Sequence, residues 1–241
     1  MNLLRSEWIK LVSTRTTWVM IGIGLLCEAL FAGLFVGLAS FHDIGNVKEV
    51  ITGLGLLMTL MLVLGVLIIS TEFRHGTASS TFLVTPRRWP VLVAKVGVGL
   101  AIGLLAGLLF VLVNGGLALP IYSGRGGTLP PTGDIVEVYA GVVVSFALLA
   151  AFGIGIGAIV RNQVGAIIAA IAIFFVVSSL PELLPGTIGE YFPAQAVGTL
   201  HGRVEGGGTL TQVEGGLVLA AWSLGLLAVG TVLTVKRDLS E

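Results

Sequence analysis

TEFRHGTASSTFLVTPRRWP (Thr71–Pro90) carries charge, hydroxyls and proline between two apolar runs, LGLLMTLMLVLGVLIIS before it (residues 54–70) and VLVAKVGVGLAIGLLAGLLFVLV after it (residues 91–113). A helix needs about 20 mostly apolar residues to cross the hydrocarbon core of a bilayer. Both runs are of that order, so the stretch reads as a polar loop between two membrane spans. The composition agrees. Of 241 residues, 55% are hydrophobic and 11% charged, with a mean hydropathy of +1.03. A soluble domain carries about 25% charged residues, and this chain has too few to cover a globular surface in water. Its formal net charge of zero points to neither nucleic acid nor an acidic substrate.

Working outward from the loop, six apolar segments are expected to span: 18–40, 50–70, 91–119, 137–160, 164–184 and 216–235. The fifth is the weakest, because Pro181 ends its apolar stretch. The first, at 23 residues from Trp18 to Ser40, exceeds the roughly 7–15 residues of a signal-peptide core and reads as a retained span. The expected fold is therefore an all-α integral membrane protein. A cytoplasmic interfacial helix over 1–17 precedes a six-helix domain over 18–241. In the N-terminal segment Leu4, Trp8, Leu11 and Val12 fall on one helical stripe, although Ile9 breaks it.

Alternate loops differ sharply in basic residues. Arg5, Lys10, Arg15, Arg74, Arg87, Arg88, Lys95, Arg161, Lys236 and Arg237 lie on one side, and only Lys48, Arg125 and Arg203 on the other. The positive-inside rule then places both termini and the 71–89 loop in the cytoplasm, in a plasma (inner) membrane, with the acidic loops outside. At the end of that loop Arg87 and Arg88 can reach lipid headgroups and Trp89 suits the headgroup level. Pro90 can open the next helix, and Lys95, about a turn on, can snorkel back. Trp8 is a further interface anchor. These roles account for TPRRWP. They do not account for EFRHGTASSTFLV, where charge is mixed with Phe73, Phe82, Leu83 and Val84, as in a short amphipathic segment that docks against something.

The interfacial helix, the six spans and the TEFRHGTASSTFLVTPRRWPVLVAK stretch (Thr71–Lys95) resemble a permease subunit of an ABC-2 type transporter. PELLPGTIGEYFPAQAVG (Pro181–Gly198), in the outer loop over 181–215, extends the resemblance. The resemblance implies that residues 71–85 form a coupling helix that inserts into a separate cytoplasmic ATPase subunit. Two ATPase copies would drive two permeases, either a homodimer or two related chains, in export of a lipid, drug, peptide or polymer. Glu72, Phe73, Arg74, His75, Gly76 and Thr77 would be the docking residues. Short helices in the outer loop would cap the exit. ATP and Mg would bind the partner, and this chain would carry no cofactor, no metal and no enzymatic activity of its own. The lysines agree: a phosphate-cradling Walker A loop needs glycine before its lysine, whereas Lys10, Lys48, Lys95 and Lys236 follow Ile9, Val47, Ala94 and Val235.

Other readings stay open. Glu28, near the middle of the first span, costs roughly 2.5–3.5 kcal/mol to insert. It and Asn114 belong either to a substrate pathway or to helix–helix hydrogen bonding. Small-residue repeats at Gly33/Gly37, Gly99/Gly103/Gly107 and Gly153/Gly157 permit close helix approach, within one chain or at a dimer seam. A self-contained secondary transporter or channel is the alternative function, though such proteins commonly show several intramembrane charges or discontinuous spans. An intramembrane serine protease is excluded in its G-x-S-x-G form, since no serine has glycine two residues before it. His42, His75 and His201 lack metal-ligand spacing.

Overall fold

The computed structural model describes residues 3–38, 47–74, 88–180, 187–203 and 209–236, and these are mostly helical with no strand among them. Helix α1 (Leu3–Ser13) stops at Thr14, whose extended backbone separates it from α2 (Arg15–Leu30). The Trp18 indole N–H clasps this corner by donating to the Val12 carbonyl at 2.7 Å. Helix α2 continues as a π-helical stretch, Phe31–Val36. After α3 (Val47–Thr52) and α4 (Leu56–Arg74) comes the long α5 (Arg88–Gly124), then α6 (Thr132–Val160). Helix α7 (Gln163–Ile171) runs into a second π-helical stretch, Ala172–Val177. A 3₁₀ turn (Thr187–Tyr191), α8 (Pro193–Leu200) and α9 (Gln212–Lys236) complete the described chain.

Five helical segments are long and apolar enough to cross a membrane: Arg15–Val36, Val47–Arg74, Trp89–Gly124, Thr132–Val160 and Gln212–Thr234. Gln163–Val177 is apolar but shorter. The chain is thus a multi-pass helical membrane protein by the length and composition of its helices. The segment expected to be a fifth span over 164–184 corresponds to this shorter piece. The expected second span over 50–70 is not one helix: it breaks between α3 and α4, where Gly53 and Gly55 take φ of +63° and +72°. Glycine adopts this left-handed backbone at no steric cost, so the two residues permit the interruption.

Helix α6 is the axis of the bundle. Of its most apolar stretch 78% is buried, against 22–50% for the other four spanning segments. Helices α4, α5 and α9 pack around it through glycines. A Cβ on Gly153 would strike the Leu62 carbonyl, one on Gly65 the Ala150 carbonyl, and one on Gly103 the backbone at Phe146–Ala147. The Gly99/Gly103/Gly107 and Gly153/Gly157 faces are therefore occupied inside the chain. By contrast, nothing lies within 4 Å of a Cβ built on Gly33. Phe110, Phe146, Phe152, Leu62 and Ile156 fill the core between these helices. The turn after α6 is sharp because Arg161 takes φ +57°, and Asn162 then caps α7, its side-chain oxygen accepting from the Gly165 N–H at 3.0 Å.

Candidate functional site

Two polar clusters lie at opposite ends of α4, whose 19 residues make a rod of roughly 28 Å at 1.5 Å per residue. The first sits where α4 enters the 75–87 segment. Glu72 Oε1 accepts from Lys95 Nζ at 2.8 Å and from Lys10 Nζ at 3.2 Å. The same lysines hold Glu7: Lys95 donates to its Oε2 at 2.7 Å and Lys10 to its Oε1 at 2.7 Å. Two ammonium groups and two carboxylates thus close a neutral ring across α1, α4 and α5. Lys95 is 3% exposed and Glu7 6%, so the ring's inner half is withdrawn from water. Charges so placed persist only when paired. Burial pushes the Glu7 carboxyl up, but the Lys95 charge and the hydrogen bonds from both lysines outweigh it and hold Glu7 below the ordinary carboxylate value. Burial pulls Lys10 down, and Glu7 and Glu72 more than offset this, leaving its ammonium raised. A cavity of about 530 Å³ opens beside the ring, lined also by Thr14, Thr17 and Gln163.

The next two residues reach a third element. The Arg161 guanidinium lies 5.5 Å from the centre of the Phe73 ring, and Arg74 Nη1 donates to Gln163 Oε1 at 3.0 Å. The end of α4 is thereby tied to α1, to α5 and to the α6–α7 turn before the chain leaves the bundle. Of the expected docking residues, Glu72, Phe73 and Arg74 stand at this junction. His75, Gly76 and Thr77 lie outside the described residues, as does Arg87; Arg88 opens α5, and its side chain is likewise not described. Trp89 is exposed, and Trp8 is 37% exposed. Lys95 differs from expectation: instead of snorkelling to the headgroups, it turns inward to two carboxylates. Helix α1 follows suit. Leu4 and Ile9 face outward while Glu7 is buried with Leu11, because Lys95 draws the acid inward.

The second cluster lies at the break between α3 and α4. In a continuous helix the Leu54 N–H would donate to the Val50 carbonyl. Here a side-chain pair stands between them. Leu54 N–H donates to Glu28 Oε2 at 3.1 Å, Asn114 Nδ2 donates to the Val50 carbonyl at 2.9 Å, and Asn114 Nδ2 also donates to Glu28 Oε1 at 2.7 Å. Insertion of a side chain into the i→i−4 ladder is a known cause of helix interruption. The Tyr139 hydroxyl completes the set by donating to Asn114 Oδ1 at 2.7 Å. Glu28, Asn114 and Tyr139 are 2%, 0% and 9% exposed. Gly53 is required for a second reason: a Cβ there would fall on the Glu28 carboxylate.

Sequence reading named Glu28 and Asn114 separately, and the structure joins them. It missed Glu7 and Tyr139. The signal for Glu7 was a lone lysine five residues inside an apolar run, which calls for an acid from a neighbouring element. Among the described residues no group of three or more His, Cys, Asp or Glu side chains could hold a metal ion. Compared with family models, with curated proteins and with solved structures, the chain finds no match.

Proposed function

We propose that this chain is the membrane-spanning permease subunit of an ATP-driven exporter of ABC-2 type, with both termini cytoplasmic and the nucleotide sites on a separate ATPase subunit. One observation carries the reading: the end of α4 is fastened to three other elements at the point where the 75–87 segment begins. A plain connecting loop has no need of a half-buried four-charge ring at its root. A segment that receives a push from a partner does, because the ring and the Phe73–Arg161 and Arg74–Gln163 contacts pass a displacement to α1, α5 and the α6–α7 turn together. Helix α4 then carries the motion to the break at Gly53–Gly55, where the bundle is held by hydrogen bonds and not by a continuous ladder. In this reading Gln163–Val177, prolonged by the helical residues 178–180, completes a sixth crossing. The 3₁₀ turn and α8 close the outer end, and two copies of the chain or two related chains assemble with two ATPases in the plasma membrane.

The break also favours a second reading. A discontinuous span with a buried acid at the interruption is a feature of ion-coupled secondary transporters. One experiment separates the two. The chain is tagged at its C-terminus, gently solubilised from native membranes, and its companions identified. The exporter reading expects a stoichiometric soluble protein with a Walker A loop, lost when Glu72 through Thr77 are replaced by alanine. A chain that purifies alone, and that moves solute by itself when reconstituted, refutes it and leaves the secondary transporter.

A further inference from the structure

A cavity of about 550 Å³ lies between the break in the second span, the π-helical stretch after α7, and α8. Neither cluster described above lines it, apart from the backbone of the break itself. Its walls are mostly apolar, with Met58, Phe174 and Val197 contributing buried side chains and Leu54 and Phe175 exposed at 52% and 45%. Its volume is within the range of about 300–1,000 Å³ typical of small-molecule sites, which pair an apolar lining with a few polar groups.

The polar groups here have one sign. The Arg203 guanidinium is on the cavity wall, bonded to the Thr52 hydroxyl through Nη2, while its Nε is buried with no acceptor among the described residues. No ion pair to Arg203 exists among the described residues. Lys48, which does not line the cavity, donates to the carbonyl of Gly202, the residue before Arg203. His201 adds no charge: burial first, and the Arg203 guanidinium second, hold its imidazole at a pKa of about 3, so it is neutral near pH 7. Its Nε2 lies 3.0 Å from Ser145 Oγ. The Glu28 carboxylate stands behind the break, engaged by Leu54 and Asn114. A cation with an unfilled donor, set in a greasy recess, is complementary to a molecule with an anionic head and a hydrocarbon body.

We propose that this cavity binds an amphiphile with a phosphate- or carboxylate-type headgroup, the headgroup at Arg203 and the hydrocarbon along Met58, Phe174, Phe175 and Val197. The guanidinium's planar fork matches such oxyanions. The exposed edges of Leu54 and Phe175 leave a side opening through which a lipid tail reaches the recess from the bilayer. That the bound molecule is then exported rests on the exporter reading; the binding itself does not.

The test is equilibrium binding of radiolabelled hexadecyl phosphate to the purified, detergent-solubilised chain at neutral pH, with hexadecanol and inorganic phosphate as competitors. Wild type is expected to bind hexadecyl phosphate saturably and about tenfold or more tighter than hexadecanol, the factor that a hydrogen bond to a charged group supplies. Inorganic phosphate is expected to compete poorly, which marks the source as a lipid. Arg203→Gln should abolish the preference for the phosphate head and leave hexadecanol binding unchanged, while Arg203→Lys keeps most of it. Thr59→Phe, which adds a ring at another lining position and leaves Arg203 unsubstituted, should weaken both ligands, and it decides the matter if the arginine variants fail to fold. Equal affinity for hexadecyl phosphate and hexadecanol overturns the proposal. So does unchanged binding in Thr59→Phe, or inorganic phosphate competing as well as the amphiphile. No ATPase is present, so this result and that of the companion purification stand or fall separately.

Discussion

The two ends of α4 solve the problem of buried polarity in opposite ways. At the Glu72 end, four full charges cancel in a ring, and every member has a partner of opposite sign. At the Gly53 end, a single carboxylate is held by neutral donors, and no ion pair to Glu28 exists among the described residues. The contrast concerns what each end can tolerate. A ring of charges is fixed: losing one member strands another in a medium that cannot solvate it. A hydrogen-bonded bridge across a broken ladder is exchangeable, since a neutral side chain of the same shape can stand in for the acid. A rod fastened rigidly at one end and bridged replaceably at the other suits the transmission of a push from the first to the second.

The hardest way to break this contrast is to remove the central cation. Lys95→Ala removes the buried ammonium from Glu7 and Glu72 and leaves them only the half-exposed Lys10, and breaking a buried pair in this way typically costs about 3–5 kcal/mol. The expected outcome is a large fall in the melting temperature of the purified protein, most of it recovered in the triple variant Lys95→Ala, Glu7→Gln, Glu72→Gln, where no buried charge is stranded and the half-exposed Lys10 is left to solvent. If Lys95→Ala melts with the wild type, the ring carries no stability and the α4 end is not rigidly fastened.

The same manoeuvre at the other end should be gentler. In Glu28→Gln the new carbonyl still accepts from the Leu54 N–H, while the amide nitrogen meets the Asn114 Nδ2 donor and one hydrogen bond is lost. The expected cost is about 1–3 kcal/mol, that of one buried donor left unsatisfied; under the proposed exporter reading the ATPase should still co-purify and transport should fall. A loss as large as that of Lys95→Ala would show that Glu28 is as indispensable to the fold as the ring, and the proposed asymmetry of α4 would fail.

How much of this was legible beforehand follows from the kind of signal each feature leaves. The spans declare themselves by length and hydropathy, and the polar 71–90 stretch by its contrast with them, although its first four residues belong to α4 and its last three to α5. Glu28 stands out as an acid within an apolar run. The break does not: Gly53-Leu54-Gly55 is as apolar as its neighbours, and hydropathy registers side chains, whereas the interruption is a matter of backbone φ and of where two hydrogen bonds go. Asn114 and Tyr139 are some 86 and 111 residues from Glu28, so their meeting is tertiary. Lys95 was read by its local setting beside Trp89 and the headgroups, and that reading could not weigh Glu7, which arrives from the far end of the sequence on a separate helix. The glycine repeats were legible as close-packing faces, but not as faces turned toward α6 in the same chain.

The smallest expected effect sharpens the contrast through pH. The folded value of Glu7 lies below its unfolded value of 4.5, so the stability it contributes is fully present above pH 4.5 and drains away as the pH falls through the lower folded value. The folded value of Lys10 lies above 10.5, so its contribution is fully present below pH 10.5 and is lost as the pH rises through the higher folded value. Between these limits the contributions of Glu7 and Lys10 should be indifferent to pH. Lys10 is 52% exposed, so solvent screens its share and the alkaline arm should be the weaker of the two. The measurement is the difference in melting temperature between wild type and Glu7→Gln across the pH range. That difference should stay flat from about pH 5 to pH 10, with the ends of the window set by the two unfolded values, and shrink below it as Glu7 is protonated and, more weakly, above it as Lys10 loses its proton. A difference that instead varies through neutrality would mean that the ring exchanges protons under working conditions, and the α4 end would then be a switch and not a fastening.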